Sequence, residues 1–190
     1  MKKTIYLLKI GKTDPGILII LKKNLKWFFK KYKIKIDILT DTFPLLESEH
    51  NTVKDNYDVI GVKKRLIAQF KNQNYYRILG IMDVDIHSRI SINIFGVADP
   101  PRFKSFATAI ISTYRLKEDG IYRRVKNVAL FEHRVFKEAI HELGHTFGLE
   151  HCKNRCVMRF SQLIEDADKK PYDFCEICLK KLDNYLNNAI

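Results

Sequence analysis

The sequence predicts a mixed α/β domain of the α+β type, with a smaller, helix-rich part at its C-terminal end. Strand-like and helix-like segments alternate over the first half, and the hydrophobic pattern becomes helical from about residue 128. The chain has 190 residues, 46% hydrophobic and 29% charged, so it can bury one core and does not have the composition of a disordered protein. We expect a single domain over residues 1–190, with an N-terminal part over 1–148 and a C-terminal part over 149–190.

Strands are predicted from β-branched or alternating apolar residues in segments 3–10, 34–38, 77–86, 92–97 and 107–116. Gly11 closes the first segment, and Ile34, Ile36 and Ile38 alternate with polar residues in the second. The Asp-Pro-Pro sequence at 99–101 separates the last two segments.

Helices are predicted at about 15–32, 57–71, 128–147 and 174–187. Pro15 suits the first turn of a helix, because proline lacks the N–H that is unpaired there anyway. Asn127 can cap the third helix, and Gly148 can end it in the left-handed conformation. Asp173 can cap the last helix.

The net charge of +12 is concentrated at the N-terminal end of the chain. Residues 1–35 contain eleven lysines and one acid, so the rest of the chain is close to neutral. Lys22, Lys26 and Lys30 form one face of the first predicted helix, opposite its apolar stripe. A solvated lysine face explains this pattern, and binding of a polyanion such as a nucleic acid is the alternative.

The central motif is the segment His141-Glu142-Leu143-Gly144-His145. Two histidines four positions apart lie about one turn apart on one helix face, so both can reach the same metal ion. Glu142 lies beside this face and can contact a metal-bound water without being a ligand, which is the position a general base needs.

The motif continues through Gly148 and His151 to give H-E-x-x-H-x-x-G-x-x-H. Gly148 lets the chain turn sharply out of the helix, and His151 then returns as a third ligand. Three histidines leave one position of a tetrahedral zinc open for water, as a catalytic site requires. Two unrelated histidines on a helix would not explain the added glycine and third histidine.

The four cysteines are Cys152, Cys156, Cys175 and Cys178, all in the last quarter of the chain. Two close pairs favour metal ligation over disulfides where no secretory signal is evident, and four buried free thiols are the alternative. A zinc ion with four cysteine ligands has no open position and is structural. Because His151 and Cys152 are neighbours, the two zinc ions are expected to lie close together.

The extended histidine signature resembles that of the metzincin metallopeptidases. Cys152 directly after His151, then C-V-M at 156–158 and C-E-I-C at 175–178, narrows the resemblance to the archaemetzincins. That family has H-E-x-x-H-x-x-G-x-x-H-C followed by C-x-M and C-x-x-C. Three residues separate Cys152 from Cys156, where four are expected in the family.

The resemblance implies a metzincin-like, mixed, twisted β-sheet with an active-site helix. Met158 would lie beneath the catalytic zinc in a structural role, and Phe160 would form part of the substrate pocket or of the core. Metzincins bind an extended peptide along an edge strand beside the zinc helix. By order along the chain, the matching residues here are Ile92, Asn93, Ile94, Phe95, Gly96 and Val97.

Together these features predict a zinc-dependent metallopeptidase with two zinc ions per chain, one catalytic and one structural. It would hydrolyse peptide bonds of a peptide or protein through a zinc-bound water, with Glu142 as general base; whether it is an aminopeptidase or an endopeptidase stays open. One alternative is a nucleic-acid-binding module built from the cysteine site and the basic helix, which leaves the histidine motif unexplained. A second is a metzincin-like protein with lost or restricted activity.

The sequence also suggests where the protein works. The apolar run at residues 17–21 is too short to span a bilayer, and no small-residue cleavage site follows the N-terminal lysines. We therefore expect a cytoplasmic monomer whose partner is a peptide substrate, with no membrane partner and no nucleic acid.

Overall fold

A computed structural model describes residues 3–88, 94–100, 105–117 and 125–188. Its strands are β1 (Thr4–Ile10), β2 (Lys35–Phe43), β3 (His50–Asn51), β4 (Asn56–Asp58), β5 (Arg77–Met82), β6 (Ile86–His87), β7 (Gly96–Ala98) and β8 (Ala107–Ser112). Its α-helices are α1 (Pro15–Phe28), α2 (Val59–Phe70), α3 (Val128–Thr146), α4 (Ile164–Lys169) and α5 (Glu176–Asn188). Within these ranges no helix has both the length and the apolar character needed to cross a bilayer.

The main sheet has the strand order β2-β1-β5-β8-β7. Its first four strands are parallel, and β7 pairs antiparallel with β8 at the edge of the sheet. A second, three-stranded sheet has the order β3-β4-β6. The mixed α/β architecture predicted from the sequence is therefore confirmed.

Side-chain alternation along the central strands gives the main sheet a core on each face. On β1, Ile5 and Leu7 belong to the core that contains α1 and α3, whereas Leu8 and Ile10 belong to the core that contains α2. All six residues of β5 and all six of β8 are buried. Parallel strands covered by helices on both faces are expected to be mostly apolar, and these two strands are, apart from the buried Arg77, Thr108 and Ser112.

Two predicted elements end earlier than the sequence indicates. The helix predicted over 15–32 stops at Phe28, because Phe29 turns into the core and Lys33 adopts a left-handed φ of 53° that returns the chain to β2. The strand predicted over 77–86 stops at Met82, because Asp83 and Asp85 leave the sheet and form ion pairs with a lysine and an arginine after β8.

Three further strand boundaries differ. The strand predicted over 34–38 begins at Lys35 and extends to Phe43. The strand predicted over 107–116 stops at Ser112, and a 3₁₀ turn over Tyr114–Leu116 follows it. Of the strand predicted over 92–97, β7 covers only its end, and Ile92 and Asn93 lie outside the described residues.

The long helix predicted from residue 128 is confirmed as α3. The side chain of Asn127 accepts a hydrogen bond from the Leu130 N–H, and Gly148 has a φ of 83° just beyond the helix. Both ends therefore form as the sequence predicts.

The chain after α3 was predicted with less success. The short helix α4 was not predicted, and α5 begins at Glu176, so Asp173 is not its cap. Instead, the carbonyl of Cys175 accepts the first hydrogen bond of α5, from the Leu179 N–H, at 2.8 Å. The carbonyl of Asp173 accepts from Val157, which ties the start of α5 to the loop after α3.

An ion pair joins α4 to α3. Arg134, buried on α3, donates two hydrogen bonds to Asp168, at 2.7 Å from Nε and 2.6 Å from Nη2. These bonds hold the pKa of Asp168 below its ordinary value, although partial burial opposes them. The pair therefore stabilises the fold wherever Asp168 is ionised.

We predict that Asp168→Asn lowers the free energy of unfolding by about 1–2 kcal/mol at pH 7, because the buried guanidinium loses its charged partner. A lowered pKa means that the contribution is present above the ordinary carboxyl value and is lost only as the pH falls through the pKa of the folded state. The difference between the two proteins should therefore be the same at pH 7 and pH 5 in denaturant titrations. Glu165→Gln, at an exposed position of α4, is the control, and an equal loss in both variants would contradict the prediction.

Candidate functional site

Helix α3 places His141 and His145 on one face, one turn apart. The Nδ1 atom of His141 lies 2.9 Å from the Val157 carbonyl oxygen, and that of His145 lies 2.7 Å from the Leu149 carbonyl oxygen. A carbonyl only accepts hydrogen bonds, so in each ring Nδ1 carries the proton and Nε2 is left with a free lone pair. The two Nε2 atoms are 3.1 Å apart.

His151 reaches the same point after the turn at Gly148. Its ring centroid lies 5.3 Å from that of His141 and 4.9 Å from that of His145. One nitrogen of each of the three rings lies within 4.8 Å of the others. A tetrahedral zinc with bonds of about 2.0–2.1 Å holds its nitrogen ligands about 3.3 Å apart, so the spacing of His141 and His145 suits this ion and His151 lies close enough to be the third ligand.

The electrostatics of the histidine group favour a metal ligand. Burial lowers the pKa of His141 and of His145, and the ammonium of Lys170 lowers both further. Burial also lowers the pKa of the more exposed His151. All three rings are therefore neutral at pH 7, the state in which imidazole binds a metal.

Glu142 is buried beside the histidine group. Burial raises its pKa well above the ordinary value, the nearby carboxylate of Glu138 raises it further, and Lys170 opposes both effects. Gly96 of the edge strand β7 lies directly against it: a Cβ atom built on Gly96 would be 2.8 Å from Cγ of Glu142. The carboxyl group is thus held between α3 and the edge strand β7.

Sequence reasoning missed the polar residues around Glu142. Glu138, which lies three residues before His141 on the same side of α3, is buried and forms an ion pair with the buried Lys170, at 3.5 Å. Only the helical spacing of Glu138 signals its position. No local pattern points to Lys170 or to Lys63, because tertiary folding alone brings them to the site.

Met158 is fully buried against α3. A Cβ atom on Gly144 would lie 2.5 Å from its sulfur, so only a glycine lets this side chain pack so close to the helix. The Met158 carbonyl accepts from the Cys152 N–H at 2.9 Å, which fixes the loop next to His151. Met158 therefore packs against α3 and orders the loop next to His151.

The four cysteines also converge, with their sulfur atoms within 4.8 Å of one another. The sulfur atoms of Cys152 and Cys175 are 3.7 Å apart. A tetrahedral zinc with Zn–S bonds of about 2.3 Å holds its sulfur ligands about 3.8 Å apart. The shorter Cys152–Cys156 spacing is therefore compatible with a four-thiolate site.

The ionisation of these thiols differs within the group. Burial raises the pKa of Cys156 and of Cys178. At Cys175 hydrogen bonds outweigh burial, those from the Cys178 N–H and the Asn154 side chain above all, and lower the pKa to about 6. Two of the four thiols are buried and two are half-buried, so a cation is needed to hold four thiolates together.

A cleft of about 1050 Å³ runs between β7, α3 and the loop after Met158. The histidine group opens into it, and of the predicted substrate residues Ile94, Phe95, Gly96 and Val97 line one side. Phe160, 54% exposed, lines the other side, with its ring 5.0 Å from that of His151.

Comparison with known proteins identifies the family. The model of peptidase family M54 matches residues 3–184. The archaemetzincin of Pyrococcus furiosus is 33% identical over 192 residues, which cover 100% of this chain and 97% of that protein. The chain belongs to the archaemetzincin family. It is therefore a zinc metallopeptidase, as the sequence predicted, and the alternatives are not favoured.

Solved archaemetzincin structures agree with this fold. That from Methanopyrus kandleri superposes with a TM-score of 0.81 at 28% identity, covering 97% of this chain and 96% of the other. That from Archaeoglobus fulgidus, complexed with malonate, gives a TM-score of 0.78 at 28% identity, covering 94% of this chain and 99% of the other.

We predict that Gly96→Ala lowers kcat/KM for peptide hydrolysis by at least about 10-fold without changing the zinc content. The new methyl group would lie 2.8 Å from both Cγ of Glu142 and the Ile110 carbonyl oxygen, so the carboxylate or the strand must move; a misplacement of about 1 Å is enough for such a loss. Gly61→Ala on α2, where a Cβ meets nothing closer than 3.4 Å, is the matched control. Full activity in Gly96→Ala would show that this close approach is not needed.

Proposed function

We propose that His141, His145 and His151 bind the catalytic zinc of this metallopeptidase and that Glu142 is its general base. The convergence of three imidazole nitrogens beside a buried carboxyl group, at the floor of an open cleft, carries this proposal. The zinc, when bound, polarises the scissile carbonyl and lowers the pKa of water to about 7.

Glu142 then moves the proton. Its carboxylate accepts a proton from the attacking water and later donates it to the leaving amine. The contact with Gly96 limits the rotation of this side chain, so the carboxylate stays at one side of the histidine group. Val157 and Leu149 keep the two helical imidazoles in the tautomer that leaves Nε2 free.

The substrate of this site is an extended peptide that pairs with the edge strand β7. An edge strand offers unpaired backbone groups, so binding depends little on the side chains of the peptide. Residues Ile94, Phe95, Gly96 and Val97 belong to this side of the cleft, and we extend the assignment to Ile92 and Asn93 from the sequence. Phe160 contributes a pocket wall on the opposite side.

A second, structural zinc is bound by Cys152, Cys156, Cys175 and Cys178, which gives two zinc ions per chain. The convergence of the four sulfur atoms supports this assignment. Such a thiolate site is stable where thiols stay reduced, which supports a cytoplasmic location. This zinc ties the start of α5 to the loop that carries His151.

We predict that elemental analysis of the purified protein finds about two zinc ions per chain. Cys175→Ser should lower the content to about one and reduce stability, because metal binding contributes folding free energy. His145→Ala should also lower it to about one, with a smaller effect on stability. A folded, metal-free protein would contradict the two-site assignment.

Glu142→Gln should leave the zinc content unchanged and reduce kcat by about 10²- to 10⁴-fold, because it removes the base but no ligand. Hydrolysis of a peptide library, with zinc measured on the same samples, tests this. Glu132→Gln, on the same helix and far from the histidines, is the control. Equal activity of Glu142→Gln and the unsubstituted protein would remove Glu142 from the mechanism.

A further inference from the structure

The outer edge of β7 presents a defined set of backbone groups to the cleft. In the pairing with β8, the Ser112 N–H bonds to the Phe95 carbonyl at 2.8 Å, and the Asp99 N–H bonds to the Thr108 carbonyl at 2.9 Å. Antiparallel pairing alternates, so residues 95, 97 and 99 direct their backbone groups to β8. The N–H and C=O groups of Gly96 and Ala98 therefore face away from β8, where a peptide can pair.

One of these four groups already has a partner. Lys63, from α2, donates from Nζ to the Ala98 carbonyl oxygen at 3.2 Å. The same ammonium forms an ion pair with Asp99 at 2.9 Å, and Asp99 accepts a further hydrogen bond from the Thr108 hydroxyl at 2.9 Å. The Lys63 side chain is only 13% exposed, so it is held in this position.

The ammonium of Lys63 occupies the place that a backbone N–H of a paired peptide would take. At Gly96 both backbone groups have no bonding partner among the described residues. At Ala98 the N–H remains available, but its carbonyl can accept from a peptide only if Lys63 leaves. Leaving would separate Lys63 from Asp99 as well, which costs an ion pair that is largely shielded from water.

We propose that Lys63 blocks peptide pairing at the Ala98 carbonyl, so that the part of β7 available to a substrate ends there. This limits the number of peptide residues that the strand binds on that side of the scissile bond. This rests on the proposed function, in which β7 pairs with the substrate. The peptide would use three backbone groups, namely the N–H and C=O of Gly96 and the N–H of Ala98. Residues beyond Ala98 would gain no backbone hydrogen bond from the strand.

The side that is limited follows from the strand direction. Because Gly96 lies against Glu142, the peptide residue opposite Gly96 is next to the bond that is cleaved. In an antiparallel pair, which is the more common and more stable arrangement, the residue opposite Ala98 is two positions nearer the N-terminus of the peptide. Lys63 thus makes the site selective for the length of the peptide on the N-terminal side of the cleaved bond.

Peptide hydroxamates test this, because the hydroxamate binds the zinc and fixes the register of the peptide. The probes are N-acetyl-(Ala)n-hydroxamates with one to five residues, which extend toward the N-terminal side. A second series with a malonyl hydroxamate followed by alanines extends toward the C-terminal side. Dissociation constants are measured by calorimetry on the zinc-loaded protein and on Lys63→Met, Lys63→Arg and Lys64→Met.

In the unsubstituted protein, affinity for the N-acetyl-(Ala)n-hydroxamates should rise with each added residue until one residue lies opposite Ala98, and further residues should add nothing. In Lys63→Met, inhibitors that reach this point should gain about 3- to 10-fold relative to the one-residue inhibitor, the value of one added hydrogen bond. Lys63→Arg, which keeps a cationic donor, should restore the limit. Lys64→Met removes the same charge from an exposed position of the same helix and should behave like the unsubstituted protein.

Three results would overturn the proposal. Affinity could depend on inhibitor length in the same way in Lys63→Met and in the unsubstituted protein, or it could keep rising with length in the unsubstituted protein. The third such result is that Lys63→Met changes affinity only in the series that extends toward the C-terminal side. If hydroxamates bind but lengthening them in either direction never changes affinity, β7 is not the substrate strand; the proposed function then fails at that point and the inference fails with it. If affinity depends on inhibitor length but is not changed by substitution of Lys63, the inference is overturned and the proposed function stands.

Discussion

The buried polar stripe of α3 is the constraint on which the rest of the structure depends. Its members are Arg134, Glu138, His141 and Glu142, all buried. Polar groups removed from water must find new partners, or each costs a few kcal/mol. The chain that follows the helix supplies these partners through Asp168, Lys170 and the Val157 carbonyl. The path of the chain after α3 is thus set by the hydrogen bonds and ion pairs that the buried polar side chains of α3 require.

The two proposed metal sites share one short piece of backbone. His151 belongs to the first site and Cys152 to the second, and the Cys152 N–H bonds to the carbonyl of Met158, which packs beneath the zinc helix. A structural zinc on the cysteines would hold His151 and Met158 in place together. In the proposed arrangement the second ion would stabilise the geometry of the first without taking part in the chemistry.

The edge strand is adapted to the site at each end. Gly96 allows β7 to approach Glu142 more closely than any other residue would, and Lys63 with Asp99 covers the backbone carbonyl of Ala98. An exposed edge also invites pairing with other chains, and a lysine placed on it is a common way to limit this. Under the proposal above, the same ion pair would both protect the edge and limit the length of peptide that the edge can bind.

The sequence by itself determined the elements whose signals are local. The 3.6-residue spacing of α3, its Asn127 cap, the turn at Gly148 and the positions of the main-sheet strands along the chain could all be predicted, because neighbouring residues set them. The histidines and cysteines that could form two zinc sites were also predictable from their spacing. Only the tertiary structure decided where β5 and β8 end, that α4 exists, and that Lys170 and Lys63 reach the cleft. These features depend on charged residues far apart in the chain, such as Lys63 and Asp99. An ion pair of this kind stabilises the structure appreciably only after folding has shielded it from water.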